Sequence, residues 1–306
     1  MYTCVVKKGE WKKGDLAAYI EPDYVVPDVP SFAFLQGKRR IGAKRLRGVW
    51  SEGLLVRAPE GATAGQDVMD ALGITRWESP ADRGTPSGFG KSSSGGSIAR
   101  VPEILRDSAP KYDLENILKY PTVISPGEPI FATEKLHGTN ARFCALNDLL
   151  ACDVSEPLFC GSRNQWRAAD PTNVYHEAVR QNRWIEGWCK AHPNMALYGE
   201  IFGDVQDLKY GAEKGQYNFR AFDVWDLHKR RWINTPHEIW PQMQWAPLRY
   251  TGPYDLAALR ELAEQDSVFG GIQEGLVIVP QNGPRYHPEI GWTKLKLVSR
   301  RYLGRP

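Results

Sequence analysis

The sequence predicts an α+β protein in which a small amino-terminal β domain precedes a larger domain of antiparallel sheets and helices. Its 306 residues exceed the usual length of one domain. Residues 2–77 contain short apolar stretches separated by turns, without helical periodicity. From about residue 109 onward, strand-like and helix-like patterns are mixed, which is typical of an α+β domain.

A segment rich in Ser, Gly and Pro separates these two regions. It reads "ESPADRGTPSGFGKSSSGGSIARVPEIL" and spans about residues 78–108. Such a composition cannot bury enough apolar surface to form a core, and it behaves as a flexible tether. The predicted boundaries are therefore 1–77 for the β domain, 78–108 for the linker and 109–306 for the second domain.

The individual elements follow from local patterns. In the β domain, strands are predicted at "YTCVVKK", "LAAYIEP", "KRLRG" and "EGLLVRAP". In the second domain, "EPIFATEKLHG" and "ARFCAL" predict two antiparallel strands joined by a turn at Gly138 and Thr139. A helix is predicted over "NVYHEAVRQNRWIEGWCKAH" and a shorter one over "YDLAALRELAEQ". Further strands are predicted at "MALYGEIFG", "NFRAFDVWDL", "EGLVIVP" and "TKLKLV".

The composition limits which cellular compartment and which classes of binding partner are expected. Lys+Arg 39 against Asp+Glu 36 gives a net charge of only +3, so polyanion binding must rest on clustered charge. The five cysteines are odd in number and lack CxxC spacing, which argues against a zinc site or a disulfide framework. No apolar run reaches the roughly 18 residues of a membrane span. We therefore expect a cytoplasmic protein without a membrane partner.

Six short motifs of the second domain occur in a fixed order. They are "EKLHG", "GSRN" at 161–164, "YGEIFG" at 198–203, "FRAFDVWD" at 219–226, "EGLVI" at 274–278 and "KLK" at 294–296. Any one of them arises easily by chance, and Lys135 alone reads as a solvated strand residue. The ordered set indicates that polar side chains from several strand ends converge on one cleft.

In this order the motifs resemble those of the covalent nucleotidyltransferases, and in particular ATP-dependent RNA ligases. "TEKLHGTN" looks like the nucleophile motif of the ligases that seal nicks in duplexes. The resemblance covers roughly residues 109–304. It implies an RNA-ligase-type nucleotidyltransferase domain (ATP-grasp-like), and ATP with Mg²⁺ or Mn²⁺ as cofactors.

The resemblance implies catalytic roles for several charged residues. Lys135 matches the nucleophile that attacks the α-phosphate of ATP and becomes a lysyl-AMP phosphoramidate. Nearby cations would favour its neutral, reactive amine. Lys294 and Lys296, two apart on one strand, would contact the α-phosphate, and Glu274 would help hold the metal. The alternatives from the residues alone are an edge strand in solvent and a structural ion pair.

The nucleotide-binding residues implied by the resemblance complete the predicted site. Glu200 would bind the ribose hydroxyls and Phe222 would stack on adenine, although periodicity alone makes Phe222 a core residue. Gly138 would let the turn bring backbone close to the nucleotide. Four further residues match positions that contact the adenylate or the 5′-phosphate end, or that mark the nick-sealing branch: Glu134, His137, Asn140 and Arg163.

The amino-terminal region resembles the OB-like domain of the fifth family of RNA ligases. The matching stretches are "VVKKGEWKKGDLAAYIEPD" and "KRRIGAKRLRGVWSEGLLV". Relatives usually have another strand and turn ahead of "VVKKGE", so we expect a small OB-like β-barrel whose start is either truncated or abridged. Segment 38–47 has six basic residues in ten that could follow a phosphate backbone, the alternative being a solvated loop: Lys38, Arg39, Arg40, Lys44, Arg45 and Arg47.

Together these features predict a monomeric ATP-dependent RNA ligase. Its expected substrate is nicked duplex nucleic acid with RNA on the 3′-OH side, sealed through lysyl-AMP and an AMP-capped 5′ end. A DNA ligase, or a nucleotidyltransferase with another acceptor, is the enzymatic alternative. A non-catalytic nucleic-acid-binding protein is the alternative from another class, and loss of Lys135, Glu274 or Lys296 would have favoured it.

Overall fold

The computed structural model describes residues 2–77, 101–147, 158–168 and 173–305. The chain divides into two compact units, one containing residues 1–78 and 298–306 and the other residues 79–297. Residues 78–100 of the predicted linker lie outside the described residues. The two units are described separately below.

The amino-terminal unit is built from short strands around a small apolar core. Ile20, Val26, Phe32, Ile41 and Ile74 are buried together at its centre. Three antiparallel pairs are formed by β1 with β5, β2 with β6 and β3 with β4. The elements are β1 (Ala17–Ile20), β2 (Tyr24–Val25), a 3₁₀ helix (Pro30–Leu35), β3 (Ala43–Leu46), β4 (Val49–Glu52), β5 (Leu54–Arg57), α1 (Met69–Leu72) and β6 (Thr75–Arg76).

The predicted first strand of this unit is wrong. Residues 2–16 contain no strand, and their backbone is instead organised by turns at 7–10 and 12–15. Side chains close these turns, since Glu10 accepts from the Lys7 N–H and Asp15 from the Lys12 N–H. Such local side-chain to backbone bonds compete with strand pairing.

Among its described residues, the second unit holds two large sheets, a two-stranded sheet of β17 and β18, and five short helices. Its helices are α2 (Glu103–Ser108), α3 (Val174–Gln181), α4 (Trp184–Ala191), α5 (Pro236–Ile239) and α6 (Leu256–Ala263). Its strands are β7 (Glu115–Asn116), β8 (Pro129–Lys135), β9 (Thr139–Ala145), β10 (Leu158–Ser162), β11 (Trp166–Arg167), β12 (Met195–Gly203), β13 (Tyr217–Asp226), β14 (Arg231–Trp232), β15 (Leu248–Pro253), β16 (Gly275–Pro280), β17 (Tyr286–His287), β18 (Gly291–Trp292) and β19 (Leu295–Val298).

Two sheets organise this unit. A six-stranded sheet has the order β11-β10-β9-β12-β13-β14, and a five-stranded sheet has the order β15-β8-β16-β19-β7. One face of the six-stranded sheet packs against α3 and α4, where Phe143, Leu197 and Phe219 meet Tyr175 and Ile185. Alternation along the strands places a different set of side chains, many of them polar, on the other face.

The predicted hairpin between β8 and β9 is wrong. The two strands follow each other in sequence, but they belong to different sheets. Both edges of β8 are occupied, by β15 and β16, while β9 pairs with β10 and β12. The turn at residues 136–138 therefore carries the chain from one sheet to the other.

The helical predictions are partly confirmed. Asp255 caps α6 by accepting from the Ala257 and Ala258 N–H groups, as expected of a helix start. The long predicted helix is two helices, because Asn182 ends α3 and its side chain donates to the carbonyls of Ala178 and Tyr217. Residues 103–108 of the predicted linker form α2, whose Leu105 is fully buried. Among the described residues, no helix has the length and apolar character that crossing a membrane requires.

Residues 298–305 belong to the amino-terminal unit and not to the second one. They form α7 (Arg300–Leu303), capped by Ser299, whose side chain accepts from the Tyr302 N–H. Arg300 lies 3.3 Å from the carboxylate of Glu52, which is almost fully buried. Gly42 permits close packing here, since a Cβ at that position would lie 2.5 Å from the Leu303 carbonyl oxygen.

Candidate active site

Lys135 and Glu274 form an ion pair at the ends of two neighbouring strands. Lys135 ends β8, and Glu274 directly precedes β16, where Gly275 is in register with Lys135. Lys135 Nζ lies 2.6 Å from Glu274 Oε1, and the two side chains are 22% and 12% exposed. An ammonium group and a carboxylate therefore share a partly open position.

Glu274 is held in its ionised form. Burial by itself raises the pKa of this carboxyl, but the charge of Lys135 and the hydrogen bond and charge of His137 outweigh burial and lower the pKa to about 2. His137 Nδ1 lies 3.4 Å from Glu274 Oε2. The carboxylate is thus flanked by a lysine on one oxygen and a histidine on the other.

The turn that follows Lys135 is contacted by the loop after β12. His137 Nε2 lies 2.6 Å from Asp207 Oδ1, and the His137 backbone N–H donates to the Tyr210 hydroxyl at 3.0 Å. The side chain of Gln206 donates to the Gly138 carbonyl. The His137 side chain is only 5% exposed, so its ring is fixed between Asp207 and Glu274.

Gly138 is required by packing against β12. A Cβ built at Gly138 would lie 2.0 Å from the Ile201 carbonyl oxygen and 3.1 Å from Cγ of Glu200. Only glycine allows the turn to approach the strand this closely. The close approach at Gly138 is therefore between the turn and the backbone of β12.

Asn140 and Glu200 lie side by side on the face of the six-stranded sheet opposite α3 and α4. Asn140 in β9 is in register with Glu200 in β12, which is in turn in register with Arg220 in β13. Cross-strand partners point to the same side of a sheet. Among the described residues, the buried Oδ1 of Asn140 has no hydrogen-bond partner. The two predicted nucleotide ligands are thus neighbours, and one carries an unused acceptor.

Phe222 sits at an irregularity in β13. Ala221 is in register with Gly199 and Asp223 with Tyr198, so Phe222 is an extra residue in its strand. Bulges of this kind often re-aim a side chain next to a functional site. The ring is half-buried and lies 4.5 Å from that of Tyr112, centroid to centroid. Phe222 therefore does not occupy a regular core position in the alternation of β13.

Lys294 is buried among aromatic rings and a carboxylate. Its Nζ lies 2.5 Å from Asp223 Oδ2 and 3.8 Å from the centre of the Trp232 ring. Asp223 also accepts a 2.6 Å hydrogen bond from the Tyr112 hydroxyl. Burial lowers the pKa of Lys294 to about 8, although the ion pair with Asp223 opposes this shift. Because Lys294 precedes β19 and Asp223 is in β13, this ion pair joins the two sheets.

Three other predicted residues have different surroundings. Lys296 is half-buried in β19, in register with Asn116 of β7. Arg163 follows β10, and its NH1 lies 3.1 Å from an oxygen of Asp113. Glu134 is 1% exposed and accepts from Arg249 at 3.0 Å and from the Val268 N–H at 3.1 Å.

The carboxylate of Glu134 is therefore engaged away from Lys135. Successive residues of a strand point to opposite faces, and Glu134 and Lys135 are adjacent in β8. The side chain of Glu134 anchors β15 through Arg249, while Lys135 is turned toward Glu274.

The basic segment of the amino-terminal unit is exposed, and one of its side chains also has protein partners. Lys38, Arg39, Lys44, Arg45 and Arg47 are exposed to solvent. Arg40 also pairs with Asp23 at 2.7 Å, and its guanidinium lies 3.7 Å from the centre of the Trp77 ring. Arg40 is therefore a structural residue of this unit in the structure described.

Sequence reasoning missed Tyr112, Asp207, Tyr210 and Asp223. Each of these residues contacts a predicted site residue that is far away in the sequence, and no local pattern reveals such a contact. One signal was available for Asp223, since a carboxylate inside the apolar run "AFDVW" needs a buried partner.

A family model for RNA ligases matches residues 128–296, which include Lys135, Glu274 and both lysines of the last motif. The chain belongs to the RNA ligase family. An OB-fold domain model matches residues 1–58, within the amino-terminal unit. No match was found among curated proteins.

Solved structures support the same assignment. The Naegleria gruberi RNA ligase with PPi is 26% identical, with a TM-score of 0.74 over 99% of this chain and 90% of that one. A variant of that ligase with AMP and Mn is 25% identical, with a TM-score of 0.74 and the same coverage. An apo variant at 24% identity, with a TM-score of 0.75, shows the likeness of fold.

These matches confirm the predicted fold class and enzyme class. The protein is an RNA ligase of the nucleotidyltransferase superfamily, with an amino-terminal OB-fold domain and an RNA-ligase-type domain. Its α+β content is as expected from the sequence.

Proposed function

We propose that the protein is an ATP-dependent RNA ligase that seals nicks with an RNA 3′-OH strand, using Lys135 as the covalent nucleophile. The observation that carries the proposal is the partly open ion pair between Lys135 and Glu274, 2.6 Å apart at the ends of two strands.

The proposed reaction has three phosphoryl transfers. Lys135 Nζ, as the neutral amine, forms an N–P bond to the α-phosphorus of ATP, and the bond to pyrophosphate breaks. A 5′-phosphate oxygen of the nick then displaces Lys135 and takes the AMP. Finally the RNA 3′-OH attacks the activated 5′-phosphate, forms the phosphodiester and releases AMP. Positioning and charge stabilisation dominate reactions of this class.

The described residues fit an adenine nucleotide. Asn140 offers a buried acceptor without a protein partner, beside Glu200 on the same sheet face. We propose that these two residues bind the sugar and base edge, while the bulged, half-buried ring of Phe222 stacks on the base. Lys294 would move its charge from Asp223 toward the α-phosphate, with Lys296 on the same strand segment.

The donor set also fits Mg²⁺ or Mn²⁺. The described residues contain no cluster of three or more side chains that could cage a metal ion. Mg²⁺ commonly binds through one or two carboxylates together with substrate phosphates and water. Glu274, ionised at neutral pH, supplies such a carboxylate. When bound, the cation would add positive charge that offsets the stabilisation of the Lys135 ammonium by Glu274.

The amino-terminal unit is the proposed contact for RNA. Its chain segments, 1–78 and 298–306, contain 15 Lys and Arg against ten Asp and Glu, whereas residues 79–297 contain 24 against 26. The small net charge of the whole chain thus hides a basic unit. Lys38, Arg39, Lys44, Arg45 and Arg47 are available to phosphates, and Arg40 is the least available. A cytoplasmic location and a monomeric state stay predictions of the sequence.

The covalent step is tested by intact-protein mass after incubation with ATP and Mg²⁺, without nucleic acid. We expect wild type to gain the mass of one AMP and Lys135→Ala to gain none. Lys190→Ala is the matched control, because Lys190 is an exposed lysine on α4 that pairs with Glu186. Labelling of Lys135→Ala, or of neither protein, would reject Lys135 as the nucleophile.

The acceptor is tested with a nicked duplex whose 3′-OH residue is ribose or deoxyribose. We expect sealing with ribose to be faster, and nicked duplex to be joined better than single strands. Equal rates for the two sugars would favour the DNA ligase alternative, and faster single-strand joining would place the protein in another branch of RNA ligases.

A further inference from the structure

The loop that follows β12 holds the turn after Lys135 from one side. Gln206, Asp207 and Tyr210 lie within five residues, and each hydrogen-bonds to His137 or Gly138. Two of these bonds fix the backbone of the turn, while Asp207 contacts a side chain. We call residues 206–210 the turn clamp.

Within the turn clamp, Asp207 determines how the His137 ring is oriented. A carboxylate only accepts hydrogen bonds, so the 2.6 Å contact requires that His137 Nε2 carry a proton. Glu274 Oε2 is also only an acceptor and lies 3.4 Å from the opposite ring nitrogen, so Nδ1 must carry a proton as well for His137 to hold this carboxylate. Rotation of the ring would break both contacts, and the burial of the His137 side chain leaves it little room.

We propose that Asp207 is a positioning residue of the ligase, which acts through His137 to hold Glu274 in place beside Lys135. Asp207 itself is 64% exposed, and successive contacts through His137 and Glu274 connect it to Lys135. An exposed carboxylate with no such role would tolerate replacement. The inference rests on the proposed covalent chemistry of Lys135.

The loop offers a matched control for this aspartate. Asp204 lies three residues before Asp207. It pairs with Lys209 at 2.5 Å and accepts from the Gly215 N–H. Asp204 thus bonds within the loop and to the residues just before β13, and none of its contacts with the described residues is to His137. Asp204→Asn therefore perturbs the loop charge without removing the bond to the ring.

The first readout is the rate of AMP transfer to the protein at saturating and limiting ATP. Outer partners of this kind typically change activity about 10–100-fold when removed. We expect Asp207→Ala to lower the maximal rate by about 10–100-fold with little change in the ATP concentration at half-maximal rate. Asp207→Asn, whose amide oxygen can still accept from Nε2–H, should recover part of this loss, and Asp204→Asn should match wild type.

The second readout is the ring ¹⁵N spectrum of histidine-labelled protein, with the His137 signals assigned from a His137→Gln sample. We expect Asp207→Ala to shift the His137 ring signals, and Asp204→Asn to leave them in place. If Asp207→Ala leaves them unchanged, or reacts within twofold of wild type, the positioning role is overturned. If wild type itself takes no AMP, the proposed function fails, while the ring spectrum still decides whether Asp207 orients His137.

Discussion

Substituting alanine at Gly138 and at Gly187 should change stability in opposite directions. At Gly138 a new Cβ would lie 2.0 Å from the Ile201 carbonyl oxygen, well inside contact distance. Ile201 is in register with Thr139, so the backbone cannot withdraw without disturbing the pairing of β9 with β12. Overpacking typically costs about 1–3 kcal/mol, and each weakened ladder bond adds about 1 kcal/mol. We expect a loss of about 3 kcal/mol.

Gly187 provides the comparison within the same unit. It lies inside α4, is exposed, and a Cβ there would meet nothing within 4 Å. Replacing glycine by alanine in a helix interior stabilises by about 0.5–1 kcal/mol. For a unit of this size about 1 kcal/mol shifts Tm by about 2–4 °C, so Gly138→Ala should lower Tm by about 6–12 °C.

Thermal unfolding followed by circular dichroism measures both variants against wild type. A Tm for Gly138→Ala within 1 °C of wild type would refute the packing argument, because the turn would then have room for a side chain. A Tm for Gly187→Ala that falls by the same amount as that of Gly138→Ala would indicate a general sensitivity to alanine and not a specific collision.

Three other predictions concern single side chains. The folded-state pKa of Glu274 is lowered to about 2 from an ordinary value of 4.5, so its stabilising effect is present above pH 4.5 and is lost as the pH falls toward 2. Glu274→Gln should therefore flatten this part of the stability profile, as measured by urea unfolding at stepped pH. An unchanged slope would contradict the assignment. Arg249→Ala leaves the buried carboxylate of Glu134 without its arginine and should lower the free energy of unfolding in urea by about 3–5 kcal/mol. Adding Glu134→Gln should restore part of this loss in the double variant. Additive losses would argue against the pair. Asp255→Ala removes the cap of α6 and should lower stability by about 1 kcal/mol in the same assay, whereas no loss would mean that water replaces the cap.

The order of elements was predictable because local patterns carry it. Strand-like runs located the strands that bear Lys135, Glu200 and Phe222, and the helical pattern of "YDLAALRELAEQ" located α6. Sheet membership was not predictable, because it depends on which edges are free. The hairpin expected between β8 and β9 fails since β15 and β16, more than 100 residues further along, already occupy both edges of β8.

The site was predictable as a set of motif residues but not as a network. The sequence placed Lys135, His137 and Glu274 in one cleft through the family resemblance, and the structure brings these three together. Partners that lie in loops, such as Asp207, carry no periodic signal. The alternative interpretation of Glu134 as a surface glutamate is wrong, since its side chain is buried and pairs with Arg249.

The return of residues 298–305 to the amino-terminal unit affects how this protein is made. Domains are generally expected to fold in the order in which they are synthesised. Here the first unit contains Glu52, whose buried carboxylate meets Arg300, a residue synthesised about 250 positions later. The unit can therefore be completed only after residue 300 and its neighbours have been synthesised. A nascent chain therefore carries this unit unfinished through most of its translation.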